Sequence, residues 1–125
     1  MWLNFALLLF INPNNEVLLL RRVNTPFCYN HYSLPGGKIE CGETATKAVI
    51  REAKSSLGVI VAIDDIVFAH SMHRKCNEPE FFACVFIITR WEGTIRNQEP
   101  ERHDDVQWFH LRMLPEHVVP AHRHA

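Results

Sequence analysis

The residues of this chain best equipped for chemistry lie between Gly36 and Val59. A Gly36-Gly37 step precedes a segment whose apolar residues recur at helical spacing. At about 100° per residue, Ala45, Ala48, Val49, Ile50, Ala53 and Leu57 cover one broad arc, and Lys47, Arg51 and Lys54 fall opposite it, facing water. Glu52 does not join the charged side but falls inside the apolar arc, beside Ala45, Ala48 and Val49. An inward carboxylate needs a partner, because an unpaired buried charge is costly. That partner is either a nearby arginine, which makes Glu52 structural, or a metal ion or catalytic water, which makes it functional. Ser55 and Ser56, three and four residues on, neighbour Glu52 on the helix surface. Glycines ahead of a helix N-terminus let backbone approach a ligand and present N–H groups to phosphate, although a plain turn uses the same dipeptide.

These residues must be positioned by the elements around them. Residues 2–11 are apolar on both alternating faces, the pattern of a strand buried on both sides. Asn12 to Asn15 is a turn cluster, and Glu16 to Arg22 is a second strand expected to pair with the first as a hairpin. Residues 24–37, with Pro26, Pro35, Gly36 and Gly37, read as a loop. Thr44 is placed to cap a helix running to Leu57, and Gly58 to stop it. Val59 to Met72 is β-rich with an interruption at Asp64-Asp65, Glu80 to Trp91 is a further strand, and Glu92-Gly93 turns it. A carboxylate-rich loop over 97–105, a short strand over 106–111 and a final helix over 113–119 complete the chain. The order implies a mixed α/β fold, with residues 1–125 forming one domain.

Composition narrows the function. A formal net charge of −1 gives no basic field for bulk nucleic-acid or anionic-membrane binding, while leaving a local anion site open. The apolar run from Phe5 to Ile11 is far short of the roughly 20 residues a spanning helix needs. It also lacks the basic n-region and small-residue cleavage site of a signal peptide. Cys28, Cys41, Cys76 and Cys84 form no C-x-x-C pair and no zinc-finger spacing, so free thiols in a reducing cytoplasm are expected. His122 and His124 read as a solvated tail.

Taken together, residues 37–59 resemble the Nudix box, G-x5-E-x7-R-E-U-x-E-E-x-G-U with U aliphatic. Gly37, Glu43, Arg51, Glu52, Ala53, Gly58 and Val59 fall on its constrained positions. Ser33-Leu34-Pro35-Gly36-Gly37 looks like the family's lead-in, and Arg21-Arg22 ends the second strand as in many members. Trp91-Glu92-Gly93, Glu99-Pro100-Glu101, Trp108-Phe109 and Leu114-Pro115 resemble the second half of a MutT-like subgroup. The resemblance implies the Nudix α/β/α sandwich with a mixed β-sheet. It also implies hydrolysis of a diphosphate linkage in a nucleoside diphosphate derivative, such as a nucleoside triphosphate, with Mg²⁺ or Mn²⁺. By the same resemblance Gly37 offers a backbone carbonyl to the metal, Glu43 and Arg51 brace the loop–helix junction, and Glu52 is metal ligand or general base. Gly36, Gly37 and Arg21 are expected to meet substrate, with a solvated strand-end charge as the alternative for Arg21.

The departure lies at Ser55 and Ser56, which occupy the metal-site positions of the family's Glu-Glu pair. Two carboxylates become neutral hydroxyls of shorter reach, so weak metal binding is expected without substrate. Three rescues are open: metal carried in by substrate phosphates, carboxylates elsewhere (Glu40, Glu43, Glu99, Glu101, Asp104, Asp105), or loss of hydrolysis with binding retained. Arg22 and Arg74 are further candidates for phosphate contact, with solvated strand-end charges as the alternative. Phe27, Tyr32 and Trp108 are candidates for base stacking, with core or rim packing as the alternative. The functional expectation is a metal-dependent hydrolase, ahead of a catalytically impaired sensor or regulator and of an RNA- or protein-binding role. Neither nucleic acid nor membrane is an expected partner, and relatives that dimerise leave a homodimer open.

Overall fold

The computed structural model describes residues 3–23, 31–74 and 81–114. Its elements run β1 (Leu3–Phe10), β2 (Glu16–Arg22), β3 (Tyr32–Ser33), β4 (Gly36–Lys38), α1 (Ala45–Leu57), β5 (Ile66–Arg74), β6 (Phe81–Ile88) and β7 (His103–His110), with a 3-10 turn over Ile63–Asp65. The strands form two sheets, a four-stranded one ordered β4-β1-β6-β5 and a three-stranded one ordered β3-β2-β7. The first is mixed: β1 and β6 run parallel, whereas β4 and β5 are antiparallel to their neighbours. The result is the expected α/β architecture.

The double burial read into β1 is realised. Ala6, Leu8 and Phe10 pack with Leu18, Leu20 and the α1 residues Ala48, Val49, Ala53 and Leu57 in one cluster. Leu7 joins Val17, Leu19, Leu34, Ala83 and Val85 in a second cluster on the other side. Both β1 and β2 therefore bury both faces, as their near-continuous apolar sequences require.

The hairpin expected between β1 and β2 is not formed. The two strands lie in different sheets, and among the described residues their β-pairing is limited to an isolated bridge between Ile11 and Val17. Each finds a longer partner elsewhere, β1 in parallel register with β6 and β2 antiparallel to β7. The end of the expected 24–37 loop is also a strand, since Gly36 and Gly37 pair with Leu7 and Ala6. Gly36 has φ 147°, and a Cβ there would overlap the Ala6 carbonyl oxygen. Only glycine lets β4 lie this close to β1. Strand β7 begins at His103, inside the expected polar loop, and the interruption at Asp64-Asp65 is the 3-10 turn. Met113 and Leu114 are not helical. Residues 115–119 of the expected last helix lie outside the described residues, as do Phe27, Cys28, Cys76, His122, His124 and the Arg74 side chain.

Helix α1 carries the site, and its ends follow from sequence. Thr44 adopts extended backbone and its hydroxyl accepts the Lys47 N–H at 3.2 Å. Gly58 closes the helix at φ 70°, its N–H reaching the carbonyls of Ala53 and Lys54. Thr44→Ala leaves one N-terminal donor without its side-chain acceptor and is expected to lower stability by about 1 kcal/mol. Urea unfolding should show a lower midpoint at unchanged m-value.

Candidate active site

Burial on α1 falls on Ala48, Val49, Glu52, Ala53, Ser56 and Leu57. Glu52 thus faces inward as its position on the helical arc requires. Arg51 does not simply face water. Its Nε and Nη2 donate to the Glu43 carboxylate at 2.7 and 3.0 Å, and Nη1 donates to Glu52 Oε2 at 2.7 Å. Nη2 also reaches the Lys38 carbonyl at 2.9 Å. One planar guanidinium therefore ties the helix, the loop before it and strand β4 together, a geometry lysine could not reproduce.

The arginine alternative for Glu52 is thus realised, but on one oxygen only. The other, Oε1, lies against β4: a Cβ added at Gly37 would come within 2.7 Å of it. Among the described residues no hydrogen bond engages Oε1. Gly37 is required here by close approach, with the carboxylate occupying the space a side chain would take. Burial pushes the Glu52 carboxyl above its usual range, opposed by Arg51 and reinforced by the charge of Glu99. The Glu43 carboxyl is held down to about 2, first by Arg51 and then by the Glu40 N–H.

The Glu43 shift has a sign that can be checked. A carboxyl depressed in the fold contributes stability that is present above its unfolded value, near 4.5, and is lost as pH falls toward about 2. Glu43→Gln is expected to lower the unfolding temperature at neutral pH, with the gap to wild type closing between those values. Thermal unfolding of both proteins across that range checks it.

The two serines part company. Ser55 is exposed. Ser56 is buried, at 4% exposure, and its hydroxyl donates to Glu99 Oε1 at 3.0 Å. Glu99, from the carboxylate-rich loop, is thereby brought to the helical face that carries Glu52, one turn away. The loop docks on the end of α1 through backbone bonds from Arg96 N to Leu57 O and from Gln98 N to Ser56 O, each 2.9 Å. The sequence offers Glu99 as one of six substitute carboxylates, and the family resemblance marks the Glu99–Asp105 loop as one where some relatives supply an extra acidic ligand. The residue that selects it, Ser56, lies 43 positions away, and nothing local to either residue signals the pair.

The other carboxylates have different surroundings. Glu40 is exposed, its nearest oxygen 3.9 Å from Arg51 Nε. Asp104 is taken up by Arg21, whose Nε and Nη2 donate to it at 2.7 and 3.0 Å. The residue expected to meet substrate phosphate thus has a carboxylate partner across β2 and β7. Asp105 accepts a 2.6 Å hydrogen bond from Tyr32, which packs edge-on against Phe109. Trp108 stacks on Trp91 with ring centroids 6.0 Å apart. It also helps floor an open depression of about 380 Å³ rimmed by Arg96, Asn97 and Asp104. Cys41 and Cys84 are free thiols. Among the described residues, no three His, Cys, Asp or Glu side chains converge in a group that could hold a metal ion, and no helix is long and apolar enough to cross a membrane.

The model of the NUDIX domain matches residues 3–125. The chain belongs to the Nudix family. It is 31% identical over 105 residues to an ADP-ribose pyrophosphatase of Methanocaldococcus jannaschii, covering 84% of this chain and 60% of that protein. It is 30% identical over 91 residues to an 8-oxo-dGTP diphosphatase of Escherichia coli, covering 73% of this chain and 69% of that one. This Nudix chain therefore spans only about 60% of the length of the first relative. A solved MutT Nudix hydrolase from Burkholderia pseudomallei superposes with a TM-score of 0.90 at 26% identity, covering 98% of this chain and 94% of that one. The Nudix fold is thus shared along nearly all of the chain. The braced Arg51 cluster and buried Glu52 occupy the segment that resembles the Nudix box.

Proposed function

We propose that this Nudix chain is a divalent-metal-dependent pyrophosphohydrolase that cleaves a diphosphate linkage in a nucleoside diphosphate derivative. The observation carrying the proposal is Glu52, a carboxylate buried on α1 and packed against Gly37, with Oε2 fixed by Arg51 and Oε1 outside that hydrogen bond. A fold does not bury such a group and raise its pKa without a structural or chemical use, and a free second oxygen favours the chemical one. The names of the relatives, an ADP-ribose pyrophosphatase and an 8-oxo-dGTP diphosphatase, agree with this reaction class.

The donor set suits a hard divalent cation. The carboxylates of Glu52 and Glu99 and the backbone oxygens of the glycine strand are oxygen donors, which fit Mg²⁺ or Mn²⁺ better than a soft metal. Two carboxylates in place of the family's larger set would hold the cation weakly in the absence of substrate, whose phosphates would supply further oxygen donors. When bound, the cation supplies charge neutralisation at the phosphates and lowers the pKa of water.

The chain's own residues do the rest. Arg51 and Glu43 hold the loop–helix junction rigid, so that Glu52 Oε1 keeps its place as a cation ligand or as the acceptor of a proton from attacking water. Gly37 leaves room for that oxygen. Gly36 keeps β4 against β1, and with it the backbone that faces Glu52.

The test is turnover of a panel of nucleoside triphosphates, nucleotide sugars and dinucleoside polyphosphates with Mg²⁺ or Mn²⁺. Hydrolysis that vanishes on chelation supports the proposal and names the substrate class. A second reading, a Nudix domain that binds without hydrolysing, is favoured by the lack of a three-carboxylate group among the described residues. Folded protein that binds panel members but turns none over would establish it.

A further inference from the structure

Ser56 occupies a position where the family pattern has a glutamate, and its surroundings give the serine a use of its own. The side chain is buried, and its hydroxyl points at Glu99 Oε1 across 3.0 Å. Among the described residues Glu99 Oε2 has only a 3.4 Å contact with Arg102, whose side chain is 69% exposed, so that pair adds little. The hydrogen bond from Ser56 is therefore the main restraint on the carboxylate.

The backbone around it is built to deliver Glu99 there. The last carbonyls of a helix lack intrahelical donors. Here those of Ser56 and Leu57 are satisfied by the N–H groups of Gln98 and Arg96. Gly58 ends the helix in the left-handed region at φ 70°, where the loop docks with the Gln98 side-chain amide beside it. Asn97 braces the loop from within, accepting the Glu99 N–H and donating to the His103 carbonyl. The Arg102 and His103 N–H groups both reach the Glu99 carbonyl.

We infer that Ser56 is a positioning residue, which fixes the carboxylate that the 96–103 loop supplies, that of Glu99, on the helical face carrying Glu52. The inference rests on the metal-dependent reading above and adds how the second carboxylate is set. An acidic side chain at 56 would set a second carboxylate against Glu99 with no proton to share, whereas the serine hydroxyl supplies the proton that orients the Glu99 carboxylate.

A double-mutant cycle on the intact chain tests this, with Mn²⁺ binding followed by electron paramagnetic resonance, alone and with imidodiphosphate. Ser56→Ala and Glu99→Gln are each expected to weaken Mn²⁺ binding about tenfold, the scale of one hydrogen bond to a charged group. The double variant should bind no more weakly than Glu99→Gln, because Ser56 acts only through Glu99. Ser56→Thr, which keeps the hydroxyl, should restore binding to within about threefold of wild type. Thermal unfolding of each variant confirms that folded proteins are compared. Additive losses, or an unchanged Ser56→Ala, overturn the positioning role. Because the readout is binding, wild-type protein that holds Mn²⁺ yet hydrolyses nothing sinks the hydrolase reading while the cycle still decides Ser56. Wild-type protein that holds no Mn²⁺ under either condition sinks both.

Discussion

Replacing Glu52 with glutamine is expected to reduce metal-dependent hydrolysis at least about 100-fold while leaving the fold as stable as before or more so. The activity side follows from charge. Electrostatic groups aimed at developing charge are worth roughly 10²- to 10³-fold each in kcat, and Glu52 Oε1 is the carboxylate oxygen that Arg51 leaves unpaired among the described residues. Glutamine keeps the shape and can still accept the Arg51 hydrogen bond, but it has neither charge for a cation nor basicity for a proton.

The stability side follows from the direction of the Glu52 pKa. Burial raises it, so ionisation is disfavoured in the fold relative to the unfolded chain. The fold therefore loses stability as pH rises through the unfolded and then the raised folded value, and regains it as pH falls. Glutamine removes that penalty at neutral pH. The diagnostic is the combination of lost turnover with an unfolding temperature that holds or rises, because a merely structural residue would lose both together. Turnover that survives in Glu52→Gln would exclude Glu52 as base or ligand. A variant whose unfolding temperature drops sharply would show that its pairing with Arg51 is the role that matters.

What was legible in the sequence divides along the distance over which the information acts. The helix ends at Thr44 and Gly58, and the inward placement of Glu52, depend on caps and on a 3.6-residue period, both contained within α1. The Glu43–Arg51 brace has its partners eight residues apart and was readable from the motif. Strand pairing was less so. A turn at Asn12 to Asn15 suits a hairpin, but β1 and β2 are each apolar on both faces, and period-2 patterning does not say which neighbour fills each edge. The parallel β1–β6 ladder, pairing Leu3 with Phe81 through Phe10 with Ile88, satisfies β1 at a sequence separation no local signal reports. The helical arc sends Arg51 to solvent for a related reason: a wheel of Cα directions cannot represent a long side chain that reaches across to Glu43 and the Lys38 carbonyl.

The substitution at Ser56 allows a test whose sign reverses with conditions. Ser56→Glu is expected to destabilise the metal-free protein by ~2 kcal/mol, which for a chain of this size is a fall of about 5–10 °C in unfolding temperature. The new carboxylate would enter a site at 4% exposure, against Glu99 and one helical turn from Glu52, where a third negative charge has no partner. The same three carboxylates would form a better cation site, and Mg²⁺ affinity is expected to rise at least tenfold by calorimetry. Ligand binding stabilises the fold by about 2.7 kcal/mol at a hundred times its dissociation constant. Millimolar Mg²⁺ should therefore recover most or all of the loss if that constant falls to tens of micromolar. Ser55→Glu is the internal control, since Ser55 is exposed and should change neither quantity appreciably. A fall in unfolding temperature at Ser56→Glu that Mg²⁺ does not relieve would mean that Glu52, residue 56 and Glu99 do not share a cation. An effect of Ser55→Glu on Mg²⁺ affinity equal to that of Ser56→Glu would mean that the site forms on the helix alone, without the loop that delivers Glu99.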